Sequence, residues 1–255
     1  MSFWVMGDVH GHVDVVRGHL RAEGLIDDAD RWTGGDAVLW FMGDFTDRGP
    51  DGVGAIELAM SLQEQARDAG GRVDSLLGNH EVLILGVRRF GPRPIPGARD
   101  SFMQLWAANG GRVSDLDRLT DRHHDWMASR PAVALWEDRL LVHADTAMYA
   151  EYGETVDEVC RNVAGVLGSD DITRWDELME VASHRLVFKR ETRAIRWMLG
   201  RFGGTRIVHG HTPIPYMAKV KPEKVQMPLV YGDGMCVNVD GGIYMGGPGF
   251  LHLET

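Results

Sequence analysis

Five short apolar runs in this chain each end in an Asp, Asn or His, and that recurrence narrows the folds open to it. Phe3-Trp4-Val5-Met6 leads into Gly7-Asp8-Val9-His10-Gly11, and Ala37 to Met42 leads into Gly43-Asp44-Phe45-Thr46-Asp47-Arg48-Gly49-Pro50. Val73 to Leu77 leads into Gly78-Asn79-His80-Glu81, Leu140-Leu141-Val142 into His143-Ala144-Asp145, and Thr205 to Val208 into His209-Gly210-His211-Thr212-Pro213. A short apolar run bounded by glycine reads as a strand buried on both faces. Ligands of open α/β sheets bind beyond the carboxyl ends of such strands. Asp, Asn and His are hard or borderline ligands for divalent metals. A single run says little, because Asp-Arg-Gly-Pro is ordinary turn chemistry. Five in one chain point to a shared centre.

The segments between the early runs fit crossover helices. Residues 13–23 put Val13, Val16 and Leu20 on one stripe ahead of Gly24, and residues 52–69 put Ile56, Ala59, Met60 and Gln63 along one face. Strand and helix alternate as far as Gly78, which predicts a parallel sheet. Helices are expected over 81–89, 100–109, 114–128, 154–167 and much of 172–200. The Pro-rich stretch 90–98 reads as a loop edging the site. Strands near 133–136 and 139–142 form a hairpin across Glu137-Asp138, and strands near 205–209, 235–239 and 249–254 flank a polar excursion at 218–226. These predict a second mixed sheet packed on the first: an α/β fold with a central β-sandwich flanked by helices, as one domain over 1–255.

With 255 residues, 44% hydrophobic and 25% charged, the chain can bury a core of ordinary soluble composition. No apolar stretch reaches the roughly 18 residues of a membrane span, and no signal core precedes the first strand. Cys160 and Cys236 match no zinc or redox spacing and read as free thiols, so a cytoplasmic location is expected. The net charge of −10 argues against nucleic acid as a partner, which needs a basic footprint.

Taken in order, GDVHG, GDFTDRG, GNHE, VHA and GHTP resemble the calcineurin-like metallophosphoesterases of the phosphoprotein phosphatase type. The chain is most similar to compact bacterial and phage serine/threonine phosphatases and to the related dinucleoside tetraphosphatases, over residues 7 to 213. The resemblance implies that family's four-layer fold. It implies one metal on Asp8, His10 and Asp44 and a second on Asp44, Asn79, His143 and His211, with Asp44 bridging. Mn²⁺ is the expected activating ion, with Fe or Zn as alternatives. Two divalent ions bring four positive charges and the two aspartates cancel two, so the site suits a phosphate dianion. No Ser or Cys stands in a nucleophile motif, in keeping with direct attack by a metal-bridging hydroxide.

The family pattern makes His80 the acid for the leaving oxygen, Asp47 its partner and Arg48 the grip on the phosphoryl oxygens. Val187-Phe188-Lys189-Arg190-Glu191 resembles the segment carrying a second phosphate-gripping Arg. That selects Arg190, with Arg185, Arg193 and Arg196 nearby. His209 and the remaining histidines read as core or surface, and Asp145 as a support for His143. The expected partner is a phosphorylated protein or a small phosphoester; the alternative is a symmetrical dinucleoside polyphosphate. Three features favour phosphoserine or phosphothreonine. An acid at His80 matters most for an alkoxide leaving group. Beyond Arg48, Arg190 and Arg88, Arg89 and Arg93 by the loop, no basic cluster lies by the motifs. Loop 90–98 suits the rim of a peptide site.

Overall fold

Side-chain alternation within short strands builds two facing sheets in the computed structural model, which describes residues 1–254. β1 (Phe3–Met6), β2 (Val38–Phe41) and β3 (Arg72–Ser75) run parallel, linked by α1 (Val13–Ala22) and α2 (Gly52–Asp68). β4 (Val133–Trp136) and β5 (Arg139–Val142) form the hairpin, and β6 (Arg206–His209) lies parallel to β5. β7 (Leu229–Tyr231), β8 (Cys236–Asn238) and β9 (Leu251–Glu254) complete the set. The sheet orders are β3-β2-β1-β9 and β4-β5-β6-β8-β7. β9 therefore leaves the second group and pairs antiparallel with β1.

Alternate residues of a strand face opposite ways. Phe3, Val5, Val38 and Trp40 meet Ala134, Leu141, Val208 and Val237 of the other sheet in one buried cluster. Their neighbours Met6, Leu39, Phe41, Leu140 and Ile207 pack into the cluster formed with the helices. Burial on both faces is why β1 and β2 are apolar throughout. Each such side chain contributes about 1.5–3 kcal/mol on burial, so the strand ends that carry the site are rigidly held.

Several expectations shift. α3 spans Asn79–Phe90 and so begins two residues before the expected 81–89, because Gly78 is its N-cap and the Glu81 carboxylate accepts from Gly78 N at 2.9 Å. Asn79 and His80 thereby join its first turn. α4 (Phe102–Ala108) packs back along α3, with the Phe90 and Phe102 rings stacked 5.7 Å apart. The Pro-rich stretch joins the far ends of α3 and α4. That is roughly 16 Å of helix from Asn79, at 1.5 Å per residue, so it does not rim the site. Arg88 and Arg89 at that end pair with Asp121 and Asp170.

The expected helix 114–128 is two pieces, Val113–Leu116 and Asp121–Ala128, since Thr120 opens a new helix with its N–H on His123 Nδ1. The region 172–200 breaks into Ile172–Ser183, Val187–Arg190 and Thr192–Phe202. β7 has three residues, too few to show a period in sequence. Cys160 and Cys236 are free, and among the described residues no helix is long and apolar enough to cross a membrane.

Candidate metal and phosphate site

Strand ends deliver the site's side chains and left-handed turns aim them. Asp8 and His10 follow β1, Asp44 to Arg48 follow β2, Asn79 and His80 open α3, His143 follows β5 and His211 follows β6. His10, Asp44, Asp47, Arg48 and His211 all have φ between 43° and 68°. Such backbone costs a non-glycine residue about 1–3 kcal/mol and persists only where its surroundings enforce it. His10 is therefore placed by a turn and not by strand alternation with Asp8. Where the β2 and β3 turns meet, only glycine fits: a Cβ on Gly43 would lie 2.8 Å from Gly78 N.

Asp44 sits between two histidines. Its Oδ2 is 3.6 Å from His10 Nε2 and its Oδ1 3.4 Å from His143 Nε2. Oδ1 also accepts from His80 N at 3.0 Å, which sets the positive N-terminus of α3 on this carboxylate. Glu81 braces the turn by accepting from Asp44 N and Phe45 N, each at 2.8 Å. Two sets of donor atoms gather within 4.8 Å: Asp44 with His10 and His80, and Asp44 with His143 and His211. Asn79 Oδ1 joins the second at 3.0 Å from His143 Nε2. Asp8 stands outside these sets. Both its oxygens accept from His211 N at 3.0 Å, and its charged neighbours include Asp240 and Asp44.

The tautomers fit metal ligation. His10 Nδ1 donates to Thr46 O at 3.0 Å and His143 Nδ1 to Met42 O at 2.7 Å, so each Nε2 turns a lone pair inward. His211 is reversed: Nε2 donates to Ser183 O at 3.0 Å, which leaves Nδ1 as the free donor atom. The His143 lone pair thus faces Asn79 Oδ1 with no proton between them. Acceptors that converge in a buried site call for a cation among them. The titration behaviour agrees. Burial pushes His10, His143 and His211 down, which keeps them neutral as ligands. Burial, reinforced by Asp240 and Asp44, raises Asp8, and burial lifts Glu81 and Asp240 to about 7. Divalent cations would offset that crowding of carboxylates.

A second constellation adjoins the first. His80 Nδ1 donates to Asp47 Oδ2 at 2.6 Å, and Trp106 Nε1 donates to Asp47 Oδ1 at 2.8 Å. Arg48 donates from Nη1 to His10 Nε2 and from Nη2 to His80 Nε2, each at 2.9 Å. The Tyr244 ring covers the guanidinium at 4.1 Å.

Arg190 ends the short helix Val187–Arg190. It is exposed, whereas the charge of Arg185 acts on His143 and His211 and, alongside Arg48, on Asp240 and Tyr244. Leu186, at φ 69°, turns the chain there, and its N–H donates to Asp145 Oδ2 at 2.7 Å. Asp145 thus supports the Arg185 segment and Thr212, not His143. His209 is buried and bonded to Tyr231 Oη at 2.7 Å, away from both donor sets.

Glu81, Trp106, Arg185, Asp240 and Tyr244 complete the centre beyond the residues that sequence reasoning selects. Asp240 carries a weaker signal: it and Gly241 follow Cys236-Val237-Asn238-Val239, a run that Asn238 interrupts. Trp106 and Tyr244 carry none, because an aromatic in a helix reads as packing. A basic flank also exists, contrary to expectation: Lys189 and Lys219 line a cavity that includes Leu186.

Residues 1–235 match the family model of calcineurin-like phosphoesterases. The chain belongs to that family. Calcineurin-like phosphoesterases are hydrolases that depend on divalent metals, and two mixed sheets flanked by helices are their fold. The chain is 37% identical over 78 residues to Shewanella-like protein phosphatase 2 of Arabidopsis thaliana, covering 31% of this chain and 20% of that protein. It is 30% identical over 171 residues to the symmetrical bis(5'-nucleosyl)-tetraphosphatase of Enterobacter sp. (strain 638), covering 67% of this chain and 52% of that one. It thus spans between a fifth and about half of these relatives' lengths. In fold, this calcineurin-like phosphoesterase is similar to the cold-active protein-tyrosine phosphatase of a psychrophilic Shewanella species. The TM-score is 0.73 at 22% identity, over 99% of this chain and 74% of the other.

Proposed function

We propose that this calcineurin-like phosphoesterase hydrolyses phosphoserine and phosphothreonine in proteins. The observation that carries this is the buried Asp47–His80 pair, 2.6 Å apart, set beside Arg48 and Asp44. Asp8, His10 and Asp44 would hold one divalent ion, and Asp44, Asn79, His143 and His211 the other, with Mn²⁺ as the activating ion and Fe or Zn as alternatives. When bound, the ions supply Lewis acidity that activates water and offsets phosphoryl charge.

The chain's own residues bind, orient and move the proton. Arg48 exchanges its two imidazole partners for two phosphoryl oxygens, as a bidentate grip. Tyr244 holds the guanidinium plane, and Arg185 adds a second positive charge. The exchange frees His80 Nε2 to take up a proton from solvent and pass it to the departing seryl or threonyl oxygen. Asp47 fixes the ring through Nδ1–H and stabilises the imidazolium. Trp106 in turn fixes Asp47. An alkoxide leaves poorly without a proton, so this acid is most useful on a phosphomonoester of Ser or Thr. The free thiols Cys160 and Cys236 suit a reducing compartment, and we place the protein in the cytoplasm on that ground.

The second reading is a symmetrical dinucleoside polyphosphate hydrolase, supported by the 30% identity to the Enterobacter tetraphosphatase across 67% of this chain. Turnover of phosphothreonine peptides and of diadenosine tetraphosphate separates the two. Higher kcat/KM on the peptides is expected. A tenfold advantage for the dinucleotide, about 1.4 kcal/mol of transition-state binding, would transfer the assignment to the second reading.

A further inference from the structure

The chain has four lysines, Lys189, Lys219, Lys221 and Lys224, all confined to 36 residues of an otherwise acidic protein with a net charge of −10. Lys189 and Lys219 line a cavity of about 660 Å³ together with Leu186, Arg190 and Tyr216. A second cavity of about 470 Å³ is lined by Lys224, Met227 and Val230 of β7. Val220 borders both, so the two adjoin as a groove divided at Val220. Its inner end carries Leu186 and Pro215. Leu186 follows Arg185, and the helix Ile214–Ala218 begins three residues after His211. Its outer end reaches β7, the edge strand of its sheet.

Nearby arginines are neutralised: Arg193 pairs with Glu191 and Arg196 with Asp233. Among the described residues, none of the four lysines or Arg190 pairs with a carboxylate; Lys189 Nζ instead donates to Met217 O. Between these cations Tyr216, Met227 and Val230 are 56%, 71% and 55% exposed. Glu223 is the one exposed acid between Lys221 and Lys224, so cations outnumber it here; such an excess of one sign beside exposed apolar side chains marks an interaction surface for a ligand of the opposite sign.

We propose that this groove binds an acidic, extended peptide. On the phosphoprotein reading above, on which its role rests, that peptide is the stretch flanking the phosphorylated residue. The placing of the cations favours a peptide over a polyphosphate. They are spread along two cavities with apolar side chains between them, where a polyphosphate needs donors converging on one point. An extended peptide advances about 3.3 Å per residue with alternating side chains. It can meet successive cations and add main-chain bonds at a free strand edge.

Lys219, Lys221 and Lys224 are exposed. The triple variant Lys219→Gln, Lys221→Gln, Lys224→Gln should therefore keep the wild-type Tm and the wild-type turnover of p-nitrophenyl phosphate. Fluorescence anisotropy with a labelled, unphosphorylated peptide of alternating Glu and Val reads the groove without catalysis. Wild type is expected to bind it, and the variant about tenfold more weakly, with the gap closing at high salt. KM for an acid-flanked phosphothreonine peptide should rise about tenfold in the variant, and that for an alanine-flanked one should stay put. Failure of wild type to bind the acidic peptide, or equal binding by both proteins, overturns the proposal. So does a defect that falls on diadenosine tetraphosphate and spares the acidic peptide. Binding of the acidic peptide by a wild type that hydrolyses no phosphopeptide upholds the groove and overturns the phosphoprotein reading alone.

Discussion

His80 and Asp47 are locked to one another, Nδ1 to Oδ2 at 2.6 Å, with both side chains buried. The carboxylate cannot turn away, because Trp106 holds its other oxygen at 2.8 Å. His80→Asn should therefore lower turnover of a phosphothreonine peptide by about 10²–10⁴. Turnover of p-nitrophenyl phosphate should fall much less, because nitrophenolate hardly needs a proton. Trp106→Phe keeps the ring packing and removes the donor, and should show the same bias at about a tenth of the size on the peptide. Equal losses on both substrates would make His80 structural.

Arg185 and Arg190 can be told apart on a small substrate. Losing a charge-assisted hydrogen bond costs about 1.5–3 kcal/mol. Arg185→Ala should accordingly lower kcat/KM for p-nitrophenyl phosphate by about 10- to 100-fold. Arg190→Ala should leave it within about twofold, as for an exposed charge remote from the reaction. Steady-state kinetics of the two variants side by side decides the assignment, and the reverse ranking would restore Arg190.

Asp44 offers one oxygen to each histidine set, so its loss should affect both metals. Asp44→Asn is expected to lose ions from both positions by elemental analysis after gel filtration, along with nearly all activity. Asn79→Ala should lower occupancy of one position only. An Asp44→Asn protein retaining two tightly held ions and full activity would remove its bridging role.

His124 ties stability to pH away from the site. Burial, aided by Arg88, lowers its pKa from 6.5 to about 4. The folded protein thus favours the neutral ring, and the unfolded chain takes up a proton first as pH falls. The stabilisation is fully present above pH 6.5 and is lost as pH drops towards 4. His124→Gln should flatten this loss by about 1–3 kcal/mol between pH 7.5 and 4.5. Urea unfolding of both proteins at those two values measures it; identical slopes would show that His124 does not titrate in this way.

Much of the candidate site is legible in the sequence because its side chains follow strands. A strand buried on both faces must be apolar and must end where polar chemistry begins, so Asp8, Asp44, Asn79, His143 and His211 stand out at the ends of five runs. The sandwich is legible for the same reason: two groups of runs, only one of them alternating with helices, need two sheets. Asp240 lies two residues past β8, whose run is broken by Asn238 and adjoins a Gly-rich stretch, so the same rule shows it less clearly.

What only tertiary structure decides is which distant side chains share a space. Trp106 reaches Asp47 across 59 positions, and Arg185 acts on His143 and His211 through a turn that a left-handed Leu186 forces. Loop 90–98 is next to Asn79 and His80 in sequence, yet it sits at the other end of α3 because a helix carries the chain away along its axis. Lys189 and Lys219 are 30 positions apart in sequence, and folding sets both in one cavity with Leu186. Local sequence determines strands, turns and ligand types, since those follow from short-range sterics and burial. The pairings that convert ligands into a catalytic centre depend on packing between elements far apart in the chain, and no short stretch encodes that.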